Sequence, residues 1–327
     1  MRTGRPRCNW SISSRPARRN KEPKDLYLND LRRQVTSRGW LLFTLSSVIW
    51  GVPYLFIKVA VDAGVPPGFI AWARVALAAV LLLPVALHRG ALRGLRARAG
   101  AIAAYTACEI AVPFVLIAVG ERYISSSLTA ILVAAMPLMV GALSVRLSPA
   151  DKPTGLRLVG LVIGLGGVVA LLGIDIAGRP DELIGAALIL VATLCYAIAP
   201  LVVSRRLADL DPIGPVAASL TLATIALLPA ALASPPHTFP PPAALWAIAV
   251  LGVVCTALGL VVFFELIAEA GPAKASVITY VNPLVAVVAG VLALHEQVGI
   301  MAVAGLVLIL GGSWLSAGGL REDLAKG

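Results

Sequence analysis

Two ionisable residues lie deep inside long apolar runs, Arg74 within Ala71-Trp-Ala-Arg-Val75 and Glu109 within Ala107-Cys-Glu-Ile-Ala111. If those runs cross a bilayer, each charge costs a few kcal/mol even on lenient insertion scales, so both are candidate binding or relay residues. Arg74 offers a fork of N–H donors to an anion, and Glu109 a carboxylate for which a proton or a solute can compete. Arg74 falls about seven residues into its run and Glu109 near the middle of its own. At about 1.5 Å per residue their depths agree within roughly one helical turn, so the two are expected to pair, as helix–helix glue or as a coupling site. Trp50, Tyr54 and Lys58 recur at i, i+4 and i+8, which predicts one helical face turned toward a cavity. Rings on that face can stack on a planar or cationic solute for about 0.5–2 kcal/mol; core packing and a snorkelling lysine are the alternatives.

Enzyme chemistry has no comparable support. The chain holds no G-x-S-x-G, H-E-x-x-H or phosphate loop, and Gly173-Ile-Asp175 has no partner aspartate. Cys8, Cys108, Cys195 and Cys255 are far apart, and His88, His237 and His295 form no cluster, so neither disulfides, a metal site nor a cofactor is expected. Glu265, Glu269, Asp62, Asp151 and Glu296 are placed at helix ends or in loops, where headgroups and water solvate them.

The elements that must position these residues follow from composition. Of 327 residues, 59% are apolar and 13% charged, against about 45–50% and about 25% in soluble chains, so the excess faces lipid. Apolar stretches fall at about 40–61, 67–88, 100–119, 126–146, 156–174, 183–204, 213–233, 243–267, 273–294 and 299–318. Each suffices to cross about 30 Å of hydrocarbon as helix, and Pro inside several argues against a barrel. Pro53, Pro137 and Pro283 are expected to kink their helices. Gly160, Gly164, Gly167, Gly305, Gly311 and Gly312 suit close helix packing, within the chain or across a dimer.

The net charge of +10 does not indicate nucleic acid, because the basic residues alternate between connections rather than spreading over a surface. Of the 27 Lys and Arg residues, 23 fall on one set of connections and termini, Arg122, Arg179 and Lys58 on the other, and Arg74 inside a span. The positive-inside rule then places both termini in the cytoplasm. Residues 1–39 read as a basic, disordered cytoplasmic tail rather than a secretory signal, and 319–327 as a short second tail.

Sliding the chain on itself by about 146 residues brings its halves into register. Trp50-Gly-Val-Pro-Tyr54 overlies Tyr196-Ala-Ile-Ala-Pro200, Pro66 overlies Pro212, and Ala135-Met-Pro-Leu138 overlies Val281-Asn-Pro-Leu284. With one-residue slips, Gly160–Gly167 matches Gly305–Gly312, and Asp151 falls opposite Glu296. Five spans in each half, 40–174 and 183–318, make the second enter from the opposite side. The expected fold is therefore all-α integral membrane, ten transmembrane helices as two inverted five-helix repeats. Such halves have near-equivalent outward-open and inward-open arrangements, the geometry of a carrier with a midplane site.

The chain resembles the EamA family of the drug/metabolite transporter superfamily over about 41–172 and 185–316. The resemblance is carried by Trp50-Gly51 with Tyr54 and Lys58, by Arg74, by the small residues before Met136-Pro137, by Asn282-Pro283-Leu284, and by His295-Glu296 with the Gly-rich last span. Tyr196-Ala197 departs from it where a second Trp-Gly pair would stand. The resemblance implies a multi-pass plasma-membrane exporter of small organic metabolites, amino acids or drugs. Together with the reading of the residues above, which alone brings in Glu109, it makes Trp50, Tyr54, Lys58, Arg74, Glu109 and Asn282 the substrate-binding candidates. Lipid and a small-molecule solute are the partners; homodimerisation, proton coupling, uptake instead of export, and a non-transporting scaffold or sensor stay open at this stage.

Overall fold

The computed structural model describes residues 36–147, 155–172, 179–207, 209–270 and 275–317. Cys8, Asp151, Gly173-Ile-Asp175, Lys274 and both proposed tails, apart from residues 36–39, lie outside the described residues. The described chain is helical and contains no strand, as expected where backbone polar groups find no water and must bond within their own segment. Seven helices are long and apolar enough to cross a membrane: α1 (Ser37–Asp62), α2 (Pro67–His88), α3 (Leu95–Gly120), α4 (Ser126–Leu143), α6 (Pro180–Val203), α7 (Ile213–Ala233) and α8 (Pro242–Ala270). Three are apolar but shorter: α5 (Leu156–Ala170), α9 (Ile278–Leu294) and α10 (Ile300–Ser316).

Local chemistry sets the ends. Thr36 caps α1, its hydroxyl accepting from the Gly39 amide at 3.0 Å, so the helix begins before the apolar run does. Pro67 at the first turn of α2 gives up an amide that no helix would use. Ser125 caps α4 by accepting from Leu128 N at 3.2 Å.

Several helices are irregular inside. Helix α1 breaks at Val52, before Pro53, and α4 at Ala134-Ala135, before Pro137; Pro283 sits within the helical run of α9. Helix α3 carries a π segment at Thr106–Ala111 and α8 another at Val250–Leu258, and a shift of 146 residues places the first inside the second. An i→i+5 segment widens the helix and often marks a functional position.

The helices pack as α5 with α10, α2 with α7 and α4 with α9, together with α3 on α6, α1 on α8, α1 on α9, α4 on α6, α2 on α8 and α3 on α7. Exchanging each of α1–α5 with the helix five places later maps these pairings onto themselves; α4 on α10, α1 on α4 and α2 on α3 lack a counterpart of similar extent. The α5–α10 seam is glycine on glycine within one chain. A β-carbon at Gly312 would lie 2.5 Å from Gly164 N and 2.6 Å from Gly160 O, and one at Gly160 would lie 2.6 Å from Ser316 N. Around the periphery, side chains such as Val80, Val169, Ile225, Leu232 and Leu292 are more than three-fifths exposed, an apolar belt that needs lipid.

Candidate functional site

Where α1, α2, α3, α6 and α8 converge, a polar cluster interrupts the apolar interior. Arg74 is buried, at 8% exposure. Its Nε donates to Thr256 Oγ1 of α8 at 2.8 Å, and its guanidinium carbon stands 3.8 Å from the centroid of the Phe114 ring of α3. Thr256 in turn donates to the Leu251 carbonyl at 2.8 Å, a five-residue step that the π segment of α8 makes available. The close approach of α2 and α8 depends on Gly252, where a β-carbon would lie 2.7 Å from Leu77 Cβ and 3.0 Å from the Arg74 carbonyl. Tyr54 of α1, Tyr196 of α6 and Cys255 of α8 lie within electrostatic reach of Arg74, and Glu109 lies within reach of both tyrosines.

The expected Arg74–Glu109 ion pair does not form: among the described residues, no ion pair includes either. Equal depth does not bring the two groups together, because Arg74 is held by Thr256 of α8 and stands against the Phe114 ring of α3 instead. Glu109 is half-buried on the π segment of α3.

Trp50 lies before the break at Val52-Pro53 and Tyr54 and Lys58 after it, and each meets different partners. Trp50 packs on Phe263 of α8, centroids 4.6 Å apart, over Gly259, where a β-carbon would lie 2.6 Å from the indole nitrogen. Tyr54 joins the Arg74 cluster. Lys58 lies at the helix end, where Nζ meets Asp62 Oδ1 at 3.0 Å and donates to the Glu121 carbonyl at 2.9 Å, so it is bound rather than snorkelling free. Asn282, with its amide nitrogen turned to acceptors, donates to Ser47 O at 3.2 Å and Ile278 O at 2.9 Å, tying α9 to α1. Glu265 and Glu269 sit at the α8 end and meet Arg38 at 2.8 and 3.6 Å.

Helix-end acids proved more than solvated charges. Glu296, between α9 and α10, accepts from Ser126 N at 2.8 Å, Ser126 Oγ at 2.9 Å and Ser127 N at 2.9 Å, and also from Ser127 Oγ. It thereby closes the exposed donors of the α4 N-terminus, and Gly290 leaves the room. Burial pushes the Glu296 carboxyl up, but the hydrogen bonds from Ser127 and Ser126 outweigh it and hold the group below the usual carboxylate range. Glu121, just past the end of α3, is fully buried, and neither carboxylate oxygen has a hydrogen-bond partner.

Sequence reasoning passed over Glu121, Thr256 and Tyr196. The repeat offers a signal for two of them, because Tyr196 overlies Trp50, and Thr256 falls next to the residue that overlies Glu109. For Glu121 there was none.

Comparison with known proteins settles the lineage. The model of the EamA-like transporter family matches residues 37–173 and again 183–318. The chain belongs to this family. Among relatives, the uncharacterized inner membrane transporter YedA of Escherichia coli K12 is 30% identical over 262 residues, 79% of this chain and 83% of that one. The uncharacterized transporter YvbV of Bacillus subtilis is 26% identical over 280 residues, 84% and 90% of the two chains. An uncharacterized transporter of Archaeoglobus fulgidus is 26% identical over 283 residues, 85% and 98%. A crystal structure at 17% identity superposes with a TM-score of 0.61 over 88% of this chain and 98% of that one, a likeness of fold. This EamA-like protein is thus a multi-pass membrane transporter; its relatives are transporters rather than enzymes, and its partners are a solute and the bilayer.

Proposed function

We propose that this EamA-like transporter exports a small organic solute bearing a carboxylate, such as an amino acid, across the plasma membrane by alternating access. In this reading ten spans form two inverted five-helix halves, with both termini cytoplasmic. The exchangeable helix pairings and the equivalent π segments of α3 and α8 support a duplicated origin, and the lysine–arginine asymmetry supports the orientation.

The observation that carries the solute class is Arg74. It is buried, yet among the described residues it contacts a hydroxyl and a ring and forms no ion pair. A desolvated guanidinium with no ion-pair partner in contact is costly, and an anionic solute would supply one through a bidentate contact while Tyr54 and Tyr196 flank it. Ligand-induced thermal shift in detergent against amino acids, nucleosides, sugars and organic cations tests this. Carboxylate-bearing solutes should stabilise the protein, and Arg74→Ala should weaken their binding by at least about tenfold, the equivalent of about 1.5 kcal/mol for one charged hydrogen bond. An equal shift in Arg74→Ala, or stabilisation by neutral sugars alone, would remove the reading.

Glu109 supports proton antiport as the energy source, because it is a half-buried carboxylate without an ion pair among the described residues, placed on the widened segment of α3. Transport in proteoliposomes across a pH series should then lose its pH dependence in Glu109→Gln. Unchanged transport and unchanged pH dependence would sink the coupling while leaving the carrier intact.

A further inference from the structure

A second acid lies beside the Arg74 cluster without bonding to it. Glu121 sits at the end of the bundle that carries the α1–α2, α3–α4 and α9–α10 connections, with 0% exposure and both carboxylate oxygens unpartnered. The groups that face it are Lys58 and Asp62 from α1, Arg74 from α2 and Glu296 from the α9–α10 connection. Each is already engaged. Lys58 holds Asp62 at 3.0 Å and the backbone carbonyl of Glu121 itself at 2.9 Å, and Glu296 is filled by Ser126 and Ser127. Arg74 donates to Thr256. At the first turn of α6, Glu182 is satisfied by Arg179 at 2.8 Å, with Asp181 beside it, and Arg122 and Tyr123 follow Glu121 on its own connection.

Charge counting decides the form of the side chain. Lys58 and Arg74 already balance Asp62 and Glu296 around this acid, so an ionised Glu121 would add one unpaired carboxylate where water does not reach. The packing leaves no room to hydrate it either. A β-carbon at Gly120 would lie 2.7 Å from Ile189 Cδ1, and one at Gly185 would lie 3.0 Å from the Gly120 carbonyl, so α3 and α6 touch through backbone beside Glu121.

We propose that Glu121 is a proton-binding site that latches this end of the bundle: the carboxyl is neutral while α1, α3, α6 and the α9–α10 connection are closed over it, and loss of its proton to water accompanies their separation. The same Glu121 supplies the carbonyl that receives Lys58, and the α4 N-terminus held by Glu296 begins five residues later. A hydrated carboxylate at this point therefore loosens the lysine joint and the Glu296 clamp together. Opening one latch per proton makes the opening equilibrium rise by about tenfold per pH unit once the group titrates. This rests on the transporter reading only in giving the motion a use; the switch itself is a property of the closed chain.

Hydrogen exchange of the purified full-length protein in nanodiscs, without solute and corrected for the intrinsic pH dependence of exchange, tests the proposal at residues 57–65 and 119–128. In the wild type, protection there should fall by roughly tenfold per pH unit through the titration, while the α5–α10 pair stays protected. Glu121→Gln, which mimics the neutral acid, should keep protection across the range. Infrared spectra of the wild type should contain a protonated-carboxyl band that Glu121→Gln removes and Glu109→Gln does not. Protection flat with pH in the wild type, a Glu121→Gln profile that follows the wild type, or a band absent from the wild type would overturn it, and the wild-type results decide even if the variant does not fold. Sodium chloride added at fixed pH should leave protection unchanged; a sodium response replacing the pH response would make this a metal-cation site and overturn the proton. A carrier without the pH response loses only the latch, and a pH response without solute transport leaves the latch and removes the carrier.

Discussion

Gly312→Val should cost the protein about 3 kcal/mol of stability, the upper end for an overpacked contact, whereas the same change one residue earlier, Gly311→Val, should leave stability nearly unchanged. The two glycines are neighbours in sequence and opposites in space. At Gly312 a β-carbon would meet Gly164 N at 2.5 Å and Gly160 O at 2.6 Å, which are backbone atoms that cannot swing aside; at Gly311 nothing lies within 4 Å. Relief would require α5 and α10 to part along a seam where Gly167 also packs on Leu308, a β-carbon there lying 2.7 Å from Leu308 Cβ. Thermal unfolding of the purified variants, followed by size-exclusion of the heated protein, reads the difference directly. Equal loss in both variants would mean that helix propensity, not the close approach, sets the cost.

A loss of similar size is expected from Glu296→Ala, about 2–3 kcal/mol at neutral pH, because it strands two backbone amides and two serine hydroxyls at the start of α4. Glu296→Gln keeps one acceptor oxygen in place and should lose roughly half as much. The pH dependence has a definite sign. The folded-state pKa of Glu296 is depressed, so its contribution is present above the unfolded glutamate value of about 4.3 and disappears as pH falls through the lower folded value. Wild type and Glu296→Ala melts should therefore differ most at neutral pH and converge in acid. A gap that persists unchanged in acid would show that Glu296 acts through packing rather than as a charged acceptor.

Much of the helical layout could be read from apolar runs alone. Those at 67–88 and 213–233 coincide with α2 and α7, because a bilayer demands both hydrophobicity and an internally bonded backbone along the whole crossing. Errors arose where polar chemistry sets the ends: the Thr36 cap and the turn from Leu95 extend α1 and α3 beyond their apolar stretches. The π segments at Thr106–Ala111 and Val250–Leu258 left no trace in hydropathy, since an extra residue in a turn changes direction and not composition.

The candidate site was legible as a set of residue types and illegible as an arrangement. A single buried arginine in an apolar run announces itself by its cost, so Arg74 needed no structure to be singled out. Its partners did, because equal depth in two helices says nothing of azimuth, and Arg74 meets Thr256 and Phe114 rather than pairing with Glu109. Likewise the i, i+4, i+8 spacing of Trp50, Tyr54 and Lys58 does not say whom each meets: Phe263 for the first, the Arg74 cluster for the second, Asp62 and the Glu121 carbonyl for the third.

What the sequence determined by itself is the solvent and the lineage: 59% apolar residues over this length require lipid, and the doubled motifs place the chain among EamA-like transporters. Tertiary structure alone decided which charges are buried and who partners whom. Glu121 and Glu296 look alike in sequence, each an acid beside a helix end, yet one is sealed without a donor and the other holds four. Burial and hydrogen bonding depend on segments 169 or more residues apart meeting at one end of the bundle, and no local pattern encodes that meeting.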